Sequence, residues 1–559
     1  MKFKKYIEKA NFFFPVSLLF ISLLPMLFLI FRVNQGNFIY ITDDAYIHLA
    51  IVKNFVEHFI WGVTKFEFVS ASSSILYPLI LAVFYKFFQL GQYSNFVLDL
   101  ALALFFLYIL YKIFIKEGLS QNHASIATSC FIFLTPLISN IFVGLEHILQ
   151  IVVDLCFFYF FTNILSSDRS NSPTDAEQTL NSHNRKWRIR TSLLSNENIY
   201  LMILSTLVTA VRYEGMFIIA AAIFLLFMKK QFGLAFLVFI SGALPILIFG
   251  YISMLNNNFL LPNTLLMKSS LSQAGIFSAI FKDFGIKAIM QIMKYGYIMS
   301  MLLISISVLI FSIKIERRFF TKIAVYNMMF ILVLLMHLQY SIILTYTSMR
   351  YEFYLIGIFI FIMFISIKYF MKSGLKLPKF LNKRLIIIGL VLVSISPIFS
   401  TVLKLYFNIP QISNNIYCQQ YQMAKFIEKN YQNRGTIACD IGAVDYFGNS
   451  RNIDLEGLGS VDIVKAKRSG NFNTHFIDSI SKANKTEMIV LFKDIYIDKI
   501  PKTWIEVASW RLPDNYICSD EKVTFFAIDS NRATVLKQRL IEFKSSMPDK
   551  VEIMINYSL

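Results

Sequence analysis

Apolar stretches long enough to cross a bilayer recur along the first three quarters of the chain, separated by short polar or basic clusters. They fall at 13–33, 73–90, 95–115, 124–143, 147–165, 199–211, 214–228, 231–253, 294–313, 321–344, 351–370 and 384–407. A crossing helix needs about 20 apolar residues, so the pattern predicts about 11–12 hydrophobic helices. Two stretches, 199–211 and 214–228, are short. Such lengths are tolerated where protein or water covers the ends. Near residue 410 the pattern changes. "NNIYCQQYQMAKFIEKNYQNR" has helical periodicity, whereas "GTIACDIGA", "RNIDLEG", "EMIVLFKD", "TWIEVASW" and "KVTFFAID" read as short strands. "ATVLKQRLIEFKSSM" reads as a closing helix. The expectation is an all-α polytopic membrane domain over 1–408 and a soluble α/β domain over 409–559.

Charge placement orients the chain. "MKFKK", "NRKWRIR", "MKK", "KIERR" and "KYFMKSGLKLPKFLNKR" should face the cytoplasm by the positive-inside rule. Residues 167–196, polar and rich in Ser, Asn and Thr, read as a flexible cytoplasmic loop. Counting back from the last basic loop puts 254–293, 212–215, 144–147, 349–352 and everything after 407 on the outer side. Counting forward from the N-terminus puts 34–72 outside as well. The two counts differ by one crossing, and 73–90 is the expected exception, a re-entrant or interfacial helix.

Composition agrees. The 559 residues are 56% hydrophobic and 16% charged, with 57 Phe, and mean hydropathy is +0.57. The net charge of +18 is accounted for by cytoplasmic loops near anionic headgroups, so no nucleic-acid partner is inferred. The N-terminal apolar run is too long for a signal peptide and is read as a retained helix. Cys418, Cys439 and Cys518 leave one disulfide open, and no cysteine pair has metal-site spacing. The soluble part has no nucleotide-binding glycine signature.

Chemistry is sought where charged groups collect at the outer ends of spans, because charge near lipid is costly and needs a partner or a purpose. Asp43 and Asp44 open "DDAYIHLAIVKNFVEHFIW", an amphipathic stretch expected to lie at the interface with His48 on its polar side. Thr42 or Asp43 could cap that helix. Glu146 opens a helix in "VGLEHILQ", where the macrodipole favours an acid. Arg212 and Glu214 sit in "TAVRYEGMF", Asn263 and Lys268 in "LLPNTLLMK", and Arg350 and Glu352 in "MRYEFYL". Arginine binds phosphate as a fork and lysine as a point charge, while a carboxylate can take a hydroxyl proton. A base beside a phosphate clamp is what group transfer from a lipid phosphate requires.

These segments, in order, resemble the GT-C superfamily of membrane glycosyltransferases, and more closely its bacterial arabinofuranosyltransferase-like and mannosyltransferase-like members. "DDAYIHLA", "SASSSILYPLILAVFYKFFQLG", "GLEHIL", "TAVRYEGMF", "LLPNTLLMK", "MRYEFYL" and "CDIGAVDYFGNSRNIDLEGL" carry the resemblance. Tyr213 stands where the family usually has proline, and Tyr77 precedes Pro78. The resemblance implies a polyprenyl-phosphate sugar donor and an inverting single displacement onto a glycan or glycolipid. The site would lie on the outer face of a bacterial plasma membrane. It implies Asp43 as general base with Asp44 beside it. Arg212, Lys268, Arg350 and Asn263 would hold the donor phosphate. Glu146, Glu214, His48 and Glu352 would position the acceptor or support the site. No metal ligand set is carried over, and a divalent cation is left open. Two other readings compete: a transporter or flippase of lipid-linked sugars, and a non-catalytic envelope assembly protein. The sugar, the acceptor and the oligomeric state are not encoded in any motif.

Overall fold

The computed structural model describes residues 2–167, 195–268, 285–341, 349–373 and 383–557. The loop expected over 167–196 falls almost wholly outside them. The membrane part begins with α1 (Lys2–Val33), α2 (Asp44–His58), α3 (Leu76–Phe88), α4 (Ser94–Lys116), α5 (Gln121–Leu134), α6 (Leu137–Val143) and α7 (His147–Ser166). It continues with α8 (Asn196–Val211), α9 (Gly215–Met228), α10 (Phe232–Leu255), α11 (Asn263–Lys268), α12 (Ile286–Lys294), α13 (Gly296–Glu316), α14 (Lys322–Tyr340), α15 (Phe353–Lys372) and α16 (Lys383–Ile416).

Among the described residues, seven helices are long and apolar enough to cross a membrane, and the pair α5–α6, bent by 55°, makes an eighth if it is one span. The protein is a multi-pass membrane protein. The bend follows from Pro136, which has no N–H to continue α5; the Asn140 side chain donates to its carbonyl at 2.7 Å. Segment 73–90 supplies only the 13-residue α3, and 214–228 only the 14-residue α9. Starts are set by side-chain caps: Ser120, Ser195 and Thr321 accept from the amides of His123, Asn198 and Ala324.

α2, expected as an amphipathic interfacial helix, is packed within protein. Ala45 through Val52 are all buried, because α2 is covered by α3 on one side and by the C-terminal domain on the other. Asn54 donates to the Gly62 carbonyl at 3.0 Å, and only Glu57 and His58 at its end are exposed.

The expected boundary at 408 falls inside α16, which continues through a π-helical turn, Tyr417–Tyr421, into α17 (Gln422–Asn430). The C-terminal domain then runs β1 (Gly435–Ala438), α18 (Ile441–Gly448), β2 (Arg451–Ile453), α19 (Val461–Ser469), α20 (Thr474–Ala483), β3 (Thr486–Leu491), α21 (Lys493–Tyr496), β4 (Ile505–Arg511), β5 (Lys522–Ala527), α22 (Ser530–Phe543) and β6 (Glu552–Ile555). All five expected strands are present, and β6 is additional. The sheet order is β2-β1-β3-β5-β4-β6. β1 pairs in parallel with β2 and β3, and the other pairings are antiparallel. The register sets Trp510 opposite Val523, and Trp510, Phe525, Phe426 and Phe543 form an aromatic core beneath the sheet. Cys418, Cys439 and Cys518 are free thiols, so the disulfide left open by the sequence is not formed.

Candidate active site

The loop entering α2 is strapped onto the break between α6 and α7. The Ile41 amide donates to the Phe142 carbonyl at 3.1 Å. The Thr42 hydroxyl donates to the Val143 carbonyl at 3.1 Å, so Thr42 does not cap α2. Asn95 donates to the carbonyls of both Ala45 and Gly144. Gly144 ends α6 at φ +69°, and a Cβ there would lie 2.6 Å from the Tyr40 ring, so only glycine fits. These ties bring the acids of the first loop beside Glu146.

Between them lies a cavity of about 90 Å³. Asp44, His48, Ser73, His147, Arg212, Glu214, Arg350 and Tyr351 reach its wall, with Thr264 and Leu265 of α11 closing one side. Arg350 donates to Asp44 Oδ2 at 2.6 Å. Among the described residues its Nε and Nη1 are buried without a hydrogen-bond partner. Arg212 is fully engaged. It donates to Glu146 at 2.5 Å and grips Glu214 with Nε at 3.1 Å and Nη2 at 2.7 Å. The Tyr351 ring lies against both guanidinium groups, 5.2 Å from the Arg212 carbon and 5.0 Å from that of Arg350. Glu146, with no exposed surface, also accepts from the Ser73 hydroxyl at 2.9 Å. His48 Nε2 lies 3.2 Å from Ser72 Oγ and 3.8 Å from Glu146 Oε2. Burial pushes the His48 pKa below its ordinary value, more than Glu146 pulls it up, so the ring is neutral at neutral pH.

The remaining expected residues lie elsewhere. Asp43 does not line the cavity. Its carboxylate accepts from the amides of Gly442 at 2.7 Å and Ala443 at 2.8 Å, across to the C-terminal domain, and it makes no side-chain cap on α2. Asn263 is buried with its side chain donating to the Leu458 carbonyl at 3.3 Å, again toward the C-terminal domain. Glu352 precedes α15 and is buried off the cavity wall. The side chain of Lys268, at the end of α11, lies outside the described residues. Conversely, Ser73, His147 and Tyr351 reach the cavity without having been singled out. All three sit inside quoted segments; His147 and Tyr351 each adjoin a charged residue, and Ser73 lies in a run of small polar residues five positions before Pro78. Among the described residues no group of three or more His, Cys, Asp or Glu side chains is placed to hold a metal ion; Glu146 and Glu214 are spent on Arg212.

A family model described as a domain of unknown function (DUF8728) matches residues 414–526. No curated protein matches the chain. Among solved structures, ArnT from Cupriavidus metallidurans in the apo state covers 95% of this chain and 99% of its own, with 10% identity and a TM-score of 0.50. The chain has the GT-C fold. The same protein bound to undecaprenyl phosphate aligns over 93% of this chain and 97% of its own, at 10% identity and a TM-score of 0.49. The archaeal oligosaccharyltransferase AglB from Archaeoglobus fulgidus, in complex with an inhibitory peptide and a dolichol-phosphate, covers 88% of this chain and 70% of its own, at 10% identity and a TM-score of 0.46. In this chain the first loop after α1 and the residues just before α7, α9 and α15 meet around one cavity, which brings together motifs far apart in sequence.

Proposed function

We propose that this protein is a membrane glycosyltransferase. It moves a sugar from a polyprenyl-phosphate donor to a hydroxyl of an envelope glycan or glycolipid, on the outer face of the plasma membrane. The observation that carries this reading is the Asp44–Arg350 pair on the cavity wall, with two further Arg350 nitrogens left without partners among the described residues. A guanidinium with spare donors is suited to a phosphate oxygen. A carboxylate held by that same guanidinium is suited to take a hydroxyl proton.

The step is a single displacement. The acceptor oxygen forms a bond to the anomeric carbon while the bond from that carbon to the phosphate oxygen breaks. The electron pair stays on polyprenyl phosphate, and the hydroxyl proton passes to Asp44. The configuration inverts. Arg350 stabilises the charge that grows on the departing phosphate, the largest electrostatic change in the step. Asp44, rather than Asp43, takes the base role, because Asp43 is committed to the C-terminal domain. Arg212, Glu146 and Glu214 hold the wall in shape, and His48 and His147 are neutral or polar surfaces for sugar hydroxyls. No step is routed through a metal.

The test uses the purified full chain in proteoliposomes with a radiolabelled polyprenyl-phosphate sugar, reading release of polyprenyl phosphate and the appearance of label on the far side of the bilayer. Asp44→Asn should lower the rate by about 100–10,000-fold, the range for loss of a general base, at unchanged protein yield. A wild-type rate from Asp44→Asn overturns the assignment of the base. Sugar crossing the membrane with no donor cleavage overturns the transferase reading in favour of a transporter.

A further inference from the structure

We infer that the C-terminal domain is a working part of the site: α18 grips Asp43 and thereby holds Asp44 toward the cavity, making Asp43 a positioning residue. The kinetic half of this inference rests on the transferase reading above, and the structural half does not.

The grip is made by the first amides of α18. These N–H groups have no partner within their own helix and carry its positive end. Both oxygens of Asp43 are used, one on Gly442 and one on Ala443. The approach is so close that a Cβ on Gly442 would lie 2.0 Å from the Asp43 main-chain oxygen and 2.6 Å from its Oδ2. Only glycine permits it. Preceding Gly442, Asp440 holds φ +55°, a sparsely populated conformation for a residue with a side chain, and its carboxylate accepts from Gln420 at 2.7 Å. The turn that presents the two amides is therefore fixed from behind.

Two further ties carry the same registration. Lys53, farther along α2, donates to the Tyr446 carbonyl of α18 at 3.0 Å. Asn263 of α11 donates to the Leu458 carbonyl, in a loop that Asp454 organises by accepting from Glu456 and Gly459 at 2.8 Å each. Helix α11 also supplies Thr264 and Leu265 to the cavity. The C-terminal domain thus touches two walls of the cavity from outside. Successive residues at a helix start point about 100° apart, so fixing the direction of Asp43 fixes that of Asp44. Arg350 then meets Asp44 from the other side. The segment "CDIGAVDYFGNSRNIDLEGL" is the docking edge that sets this angle, which gives the domain of unknown function a role.

The experiment compares Asp43→Ala, Asp43→Asn and Gly442→Ala in the full chain, with size-exclusion profile and melting temperature as the check on folding. The first readout is amide hydrogen exchange and needs no substrate. Asp43→Ala and Gly442→Ala should speed exchange at the start of α2 and across α18 while the remaining helices stay protected. Unchanged protection at both places overturns the grip. The second readout is transfer. Asp43→Ala and Gly442→Ala should lower kcat by about 100-fold, the scale of a small misplacement of a reacting group, with KM for the donor little changed. Asp43→Asn keeps one acceptor oxygen and should recover to within about tenfold of wild type. Loss of all transfer in Asp43→Asn, equal to that in Asp43→Ala, overturns the positioning role and returns Asp43 to the chemistry. If wild-type protein transfers nothing, the transferase reading fails while the exchange result still stands.

Discussion

Arg350 reaches Asp44 across 306 residues of sequence and pairs with it at 2.6 Å, while Arg212, against the same Tyr351 ring, is neutralised by Glu146 and Glu214. The two arginines look alike in sequence and differ in what they have left to give. Arg212 spends all its charge-bearing nitrogens inside the protein. Among the described residues Arg350 leaves Nε and Nη1 without partners.

Replacing Arg350 by lysine keeps the charge and removes the fork. Point charge and planar fork are not interchangeable at a bidentate site. Arg350→Lys should therefore lower kcat/KM by about 100-fold or more, the scale for loss of one strong electrostatic donor, with Arg350→Ala lower still. Steady-state kinetics on the reconstituted protein check this, and full activity in the lysine variant contradicts it.

Arg212 should behave differently. Arg212→Met leaves Glu146 buried without its counter-ion, a loss of about 3–5 kcal/mol of stability for a broken buried pair. The expected result is a lower melting temperature and poor yield in detergent, not a stable inactive protein. Thermal unfolding by intrinsic fluorescence measures it. The double substitution Arg212→Met with Glu146→Gln should recover much of the loss.

The docking edge should respond to pH. Asp43 is pushed up to about 8 from an ordinary 3.8, by burial first and then by the facing charge of Asp440, against the pull of the Ala443 and Gly442 amides and with Asp44 beside it adding a little. Burial also raises Asp440. A carboxyl raised on folding stabilises the fold fully below its unfolded pKa, and that contribution is lost as pH rises through the folded value. Contact between α2 and α18 should therefore loosen between about pH 4 and 8 and be weakest above 8. Amide exchange in α18 measured from pH 5 to 9, corrected for the intrinsic rate, reads it. Asp43→Asn should flatten the slope, and an unaltered slope in that variant would falsify the assignment.

Much of this architecture is written in the local sequence. Apolar runs are legible because lipid leaves backbone groups no partner outside their own helix. The strands of the C-terminal domain are legible because β-branched and aromatic runs such as "EMIVLFKD" fit a pleated, buried surface. β6 is not, because "VEIMINYSL" is short and is recognised only by pairing with β4. Ser73, His147 and Tyr351 carry no periodic signal, and they matter only because separate helices converge on them. The division between Asp43 and Asp44 is the clearest case. Both sit at one helix start, and no local rule separates them. What decides is Gly442, 399 positions away, and Arg350 on the opposite side.

The 34-residue helix α16 crosses from one half of the molecule to the other without a loop. At about 1.5 Å per residue it is a beam some 51 Å long. It is bolted near its upper end: Ser413 and Asn414 bond to the end of the first helix and the chain beyond it, and Asn415 and Gln419 bond to carbonyls of the C-terminal domain. The beam holds Pro397 and Pro410 and runs into the π-helical turn Tyr417–Tyr421, so the C-terminal domain is carried on the same helix that packs against α1, and any bend at those points would move the domain and its docking edge together.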